Sequence, residues 1–181
     1  SGQWLQARLQ KIAADTWVLT GSLSAFNPAT ISGLKLWLDA NAITGLSDGD
    51  AVATWADKSG NSRDATAAVW ASSKPTYKTG IVNSKPTVRF NGTANYMATA
   101  TTPALAQPNT VFWVGKVANA WVGDGAFFDS TTALKSMVGI YPLDTEAYQM
   151  YADSAINSST RRVTSAYRLY EAVFNGASSS L

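Results

Sequence analysis

Thr87-Val88-Arg89-Phe90, followed by Asn91-Gly92, decides the fold. The four residues alternate, so a strand puts Val88 and Phe90 on one face. Asn-Gly is the strongest short turn signal in the chain, because both residues accept the positive φ of tight hairpin turns. The same grammar recurs on either side. Thr110-Val111-Phe112-Trp113-Val114-Gly115-Lys116-Val117 is apolar on both faces through its middle, which predicts a central strand covered on both sides. Shorter strands are expected at 34–38, 52–55, 126–129, 136–141, 147–152 and 167–174, with Asp48-Gly49-Asp50 as a turn before the second. Short strands at this spacing predict an all-β fold, an antiparallel sandwich or jelly roll. No segment after residue 33 has a helix-length period of 3.6.

The first residues read differently. Trp4, Leu5, Leu9 and Ile12 fall on one helical stripe, with Arg8 inside it and Gln3, Gln6, Gln10 and Lys11 mostly away from it. Residues 1–20 are therefore expected to form a short N-terminal amphipathic helix or anchor segment, with an extended piece from Thr16 to Leu19. Residues 21–32, rich in Ser, Asn and Pro, form a linker, and 33–181 the β domain. The helix stripe can dock on this domain or on a neighbouring subunit. Ser1-Gly2-Gln3 is neither a Met start nor a signal peptide, so a processed or trimmed chain is expected.

Composition narrows the function. Charged residues are 14% of the 181, against about 25% in an ordinary globular domain; Ser, Thr, Asn and Gly supply the polarity. The 14 basic residues are scattered and the net charge is +2, so the basic stripe of a nucleic-acid binder is missing. No apolar run approaches the roughly 20 residues of a membrane-spanning helix. With no Cys and no His, the chain has no disulfide, no Ser-His-Asp triad and no His- or Cys-ligated zinc.

The ordered motifs carry a resemblance. Gly33-Leu34-Lys35-Leu36-Trp37-Leu38-Asp39-Ala40 comes first, then Leu46-Ser47-Asp48-Gly49-Asp50 and Trp55-Ala56-Asp57-Lys58-Ser59-Gly60-Asn61. Lys74-Pro75-Thr76-Tyr77, Lys85 to Gly92 and Asn95-Tyr96-Met97 follow. Over residues 26–181 the chain resembles the concanavalin A-like lectin/glucanase superfamily, in its laminin-G-like jelly-roll branch. That resemblance implies two stacked antiparallel sheets with a concave face. Such domains occur in phage virion and tail proteins, adhesins and other secreted bacterial proteins; many bind glycans, some with calcium. It also implies further strands beyond Leu181, so that either the sequence is incomplete or another chain or segment supplies them; without them an apolar strand at 167–174 would be an aggregation edge.

Catalysis is expected to be absent. Glycoside hydrolysis needs two carboxylates at a set separation, and the related glucanases carry Glu-x-Asp-x-x-Glu. This chain has only Glu146 and Glu171 and lacks that motif. Asp48, Asp50 and Asp57 can offer oxygen ligands to calcium; alternatively, they bond their own backbone and fix tight turns. Asp124 and Asp129 face the same pair of readings. Sugars stack on exposed aromatic faces. Trp37, Trp55, Phe90 and Trp113 lie in strand patterns and are expected in the core. Trp70, Trp121, Tyr148 and Tyr151, near loops or alternating with polar residues, are the candidate glycan-binding platforms.

The expected protein is thus a non-catalytic, surface-displayed module of a phage-type virion, structural and glycan-adhesive. Its partners would be other virion or surface-assembly subunits, host glycans and further copies of itself. The alternative is a carbohydrate-binding or adhesion module of a secreted or cell-surface bacterial protein.

Overall fold

The computed structural model describes residues 8–13, 16–20, 26–67, 73–99, 106–117, 125–129, 137–141, 147–152, 154–162 and 166–180. Every strand pair among them is antiparallel. The described helical structure consists of two 3₁₀ turns, Pro28–Thr30 and Ala40–Ala42. The all-β expectation holds.

The N-terminal helix is corrected. Strands β1 (Arg8–Ala13) and β2 (Thr16–Thr20) pair as a hairpin, with Leu9 opposite Leu19 and Gln10 opposite Val18. A helical stripe counts one segment's own apolar spacing. It does not see the β-branched, aromatic run Thr16-Trp17-Val18 just downstream, which offers a ladder instead. Trp4 and Leu5 lie outside the described residues.

The expected strand at 34–38 is also corrected. Only Leu38 forms a bridge, to Asp57, and side chains occupy carbonyls that a ladder would have used. Asn61 Nδ2 donates to the carbonyls of Leu34 (2.9 Å) and Lys35 (3.2 Å), and Ser59 Oγ donates to that of Lys35 (3.3 Å).

The next part is a small sheet and a hairpin. Strands β3 (Thr54–Trp55) and β4 (Ala65–Ala67) pair, and β4 pairs in turn with β7 (Met97–Thr99). Strands β5 (Thr76–Val82) and β6 (Lys85–Arg89) form the hairpin. Its turn is Asn83-Ser84, at φ 47° and 61°, the positive values that a tight right-twisted hairpin requires. Asn91-Gly92 opens a wider loop. The chain leaves the ladder before it, so Phe90 is 45% exposed and is not a core residue.

The main core lies between β8 (Asn109–Gly115) with β13 (Arg168–Phe174) and a second sheet. That sheet orders β12 (Ser154–Arg162), β11 (Ala147–Ala152), β10 (Met137–Tyr141) and β9 (Gly125–Phe128) side by side. Val138 and Met150 from it meet Ala172 and Phe174 from β13, all fully buried, with Val111, Trp113, Phe127 and Phe128 packed around them. Trp113 stacks on Tyr170 (5.0 Å between centroids) and meets Phe128 edge-on. Such ring pairs add roughly 0.5–1.5 kcal/mol each beyond the area they bury.

Strand β13 runs beside β8 along its whole length on one side; on its other side the described residues give it a single bridge, from Val173 to Ser180. Coverage of β8 on both faces is corrected, however. Phe112 and Val114 are 59% and 61% exposed, and Leu169, opposite Val114, is 68% exposed. Apolar character on both faces did not bring burial on both, because the described second sheet covers only the Val111–Trp113 side.

Candidate functional site

Asp57 organises the loop that the sequence marks as Asp57-Lys58-Ser59-Gly60-Asn61. Its Oδ1 accepts from the backbone N–H of Trp37 (3.0 Å) and of Ser59 (2.8 Å). Its Oδ2 accepts from the Ser59 hydroxyl (2.7 Å) and the Arg63 N–H (3.0 Å). Asn61 and Ser59 complete the clasp on Leu34 and Lys35, and Lys58 lies over the Trp37 ring while pairing with Asp39 (3.4 Å). Burial raises the Asp57 pKa, but these hydrogen bonds outweigh it and hold the carboxyl below the usual aspartate range.

Asp48 ties its turn to β5. Its carboxylate pairs with the Lys78 ammonium and accepts from the Thr79 N–H (2.9 Å). The Lys78 and Thr79 hydrogen bonds lower its pKa. Gly49 N–H donates to the Tyr77 carbonyl and Tyr77 N–H to that of Asp50, so the turn lies along the strand. Asp50 Oδ2 accepts from the Ser47 N–H (2.7 Å).

Thus the structure places each proposed calcium ligand in a turn that the ligand itself braces. Asp48 and Asp50 share one turn, and Asp57 sits in another. Among the described residues no group of three acidic side chains is arranged to hold a metal ion. The lowered pKa values of Asp48 and Asp57 run opposite to the raised value of a general acid. Asp129 is exposed at the end of β9; Asp124 lies outside the described residues.

Of the proposed glycan platforms, Trp70 and Trp121 lie outside the described residues. Tyr148 and Tyr151 belong to β11, opposite Ile140 and Met137 in register. Trp37, Trp55 and Trp113 are half-buried. Two exposed aromatics outside the proposed set, Phe90, which was expected in the core, and Tyr96, flank the loop between β6 and β7. Asn91 Oδ1 accepts from the N–H groups of Thr93, Ala94 and Asn95 (3.0–3.1 Å), and Asn95 Oδ1 accepts from the Asn91 N–H (2.9 Å). Asn95 Nδ2 and Tyr96 N–H anchor the loop to the carbonyls of Lys74 and Ser73. Phe90 and Tyr96, 45% and 57% exposed, stand at the two ends of this braced loop. The signal that could have found them is their position beside Asn91 and Asn95, the turn-forming residues that brace the loop between the two strands.

Comparisons with protein-family models, curated proteins and solved structures gave no match.

Proposed function

We propose that this chain is a non-catalytic, surface-displayed jelly-roll module of a phage-type virion, structural and glycan-adhesive. The observation that carries the adhesive part is the self-braced loop from Asn91 to Tyr96. It holds Phe90 and Tyr96 at the surface with few degrees of freedom left to lose on binding. Support for the jelly-roll architecture comes from the all-antiparallel pairing and from the core shared by two sheets. The virion setting rests on the motif resemblance.

Trp70, Trp121, Tyr148 and Tyr151 join Phe90 and Tyr96 as the aromatic set to be tested. Calcium through Asp48, Asp50 or Asp57 is the accompanying cofactor proposal, and it would require the turn-bracing bonds to be shared with the ion. The same loop serves the second reading, a carbohydrate-binding module of a secreted bacterial protein. Incorporation into purified virions separates the two settings.

A glycan-array screen with and without calcium tests adhesion. Selective binding is expected, and Tyr96→Ala or Phe90→Ala should weaken it by about five- to thirtyfold, since one sugar-stacking ring is worth on the order of 1–2 kcal/mol. Absence of binding by folded protein would remove the adhesive role and leave the structural one.

A further inference from the structure

The outer face of the β8–β13 ribbon has a definite order along the strands. At its centre Val114 faces Leu169 across the ladder, both more than half exposed. One step toward the start of β8, Phe112 faces Glu171, an exposed carboxylate with no ion pair among the described residues. One step the other way is Lys116, also exposed, its ammonium 5.0 Å from the centre of the Tyr167 ring. Alternation places Phe112 and Val114 of β8 with Leu169 and Glu171 of β13 on the same side, away from Trp113, Tyr170 and Phe174; Lys116 follows directly on the end of β8, beside Tyr167. The face therefore reads anion, apolar centre, cation, with steps of about 6.8 Å between residues of one face.

A face with this order is complementary to its own reverse. Turned over about a two-fold axis lying in the face, across the strands at the Val114–Leu169 pair, the cation end of one copy comes over the anion end of the other. At the ordinary spacing of about 10 Å between packed sheets, the apolar centres meet and each Lys116 reaches toward the opposing Glu171. A like-charged or uncharged border would leave the partner open; this border selects a second copy.

We infer that the outer face of the β8–β13 ribbon is an isologous dimer interface, closed by Lys116–Glu171 pairs around Val114, Leu169 and Phe112. A two-fold contact of this kind uses one patch twice and closes without further growth. The inference stands apart from glycan adhesion, because none of its residues belongs to the Asn91–Tyr96 loop.

The test is sedimentation velocity of the full chain over a wide concentration range, with circular dichroism to confirm folding of every variant. A concentration-dependent dimer is expected. Leu169→Glu, at an exposed position, should raise its dissociation constant by about tenfold or more, because a charge replaces an apolar centre. Lys116→Glu and Glu171→Lys should each weaken the dimer, while the double variant K116E/E171K restores it. A chain that stays monomeric throughout overturns the inference. So does a dimer indifferent to Leu169→Glu, or a double variant no tighter than the single ones.

Discussion

Asp57 shows how one carboxylate can stand in for a stretch of strand. Four donors converge on it, from Trp37, Ser59 and Arg63. Asp57→Asn presents a single acceptor oxygen and turns the other atom into a donor facing an N–H or hydroxyl. The variant should lose about 1–2 kcal/mol, a figure kept modest because the site is partly open to solvent, and urea unfolding at neutral pH measures it. The acid response follows from the same bonds. The folded-state pKa of Asp57 lies below its unfolded value, so its contribution is complete above that value and vanishes as pH falls through the folded one. The urea midpoint should be flat from neutrality down to about pH 5 and fall below about pH 4. Asp57→Asn should show a shallower fall; an equal fall would show that other groups carry it. The sequence offered two readings of Asp57, ion ligand or turn brace. The bracing is visible in the structure, while its partners at Trp37 and Arg63 were illegible because they depend on how distant backbone segments meet.

Elements were legible where a strand's own pattern settles it. Ala147–Ala152 matches the expected strand residue for residue, and β10 and β13 lie within a residue of theirs. Pairing was not legible, since alternation records which face is apolar and not what covers it. Thr110–Val114 is the clearest case: both of its faces are apolar, yet only Val111 and Trp113 join the core. The helix expected near residue 9 failed for a related reason, because the partner strand at 16–20 lay outside the period being read. Burial also sets the energetic contrast within β13. Phe174 is fully buried and meets Phe128 edge-on at 5.9 Å, so Phe174→Ala should cost about 3–5 kcal/mol. Leu169→Thr, measured at a concentration too low for association, should stay within about 0.5 kcal/mol. Equal costs in a denaturation experiment would contradict the assigned inner and outer faces.

On the scale of the whole molecule, the all-β class was legible and the partner of each strand was not. Many short strands with turn residues between them are enough for the class. That β13 would lie on β8, and not beside β12, is a long-range choice with no local marker. The two surfaces proposed for binding, the Asn91–Tyr96 loop and the outer ribbon face, belong to separate parts of the fold. Variants at one should leave the other intact.

The ladder between β8 and β13 also sets a clock. It joins Gly115 to Arg168 and Asn109 to Phe174, so the whole run through β9, β10, β11 and β12 must be gathered before it can zip. Contacts this far apart in sequence are slow to form, and β-rich chains dominated by them fold in milliseconds to seconds. The local hairpins β5–β6, β10–β11 and β11–β12 should acquire amide protection first, and Val111, Trp113, Tyr170 and Ala172 last, in a pulse-labelled refolding experiment. During that interval the apolar residues of β8 have no partner strand, so the yield of refolded protein should fall as its concentration rises.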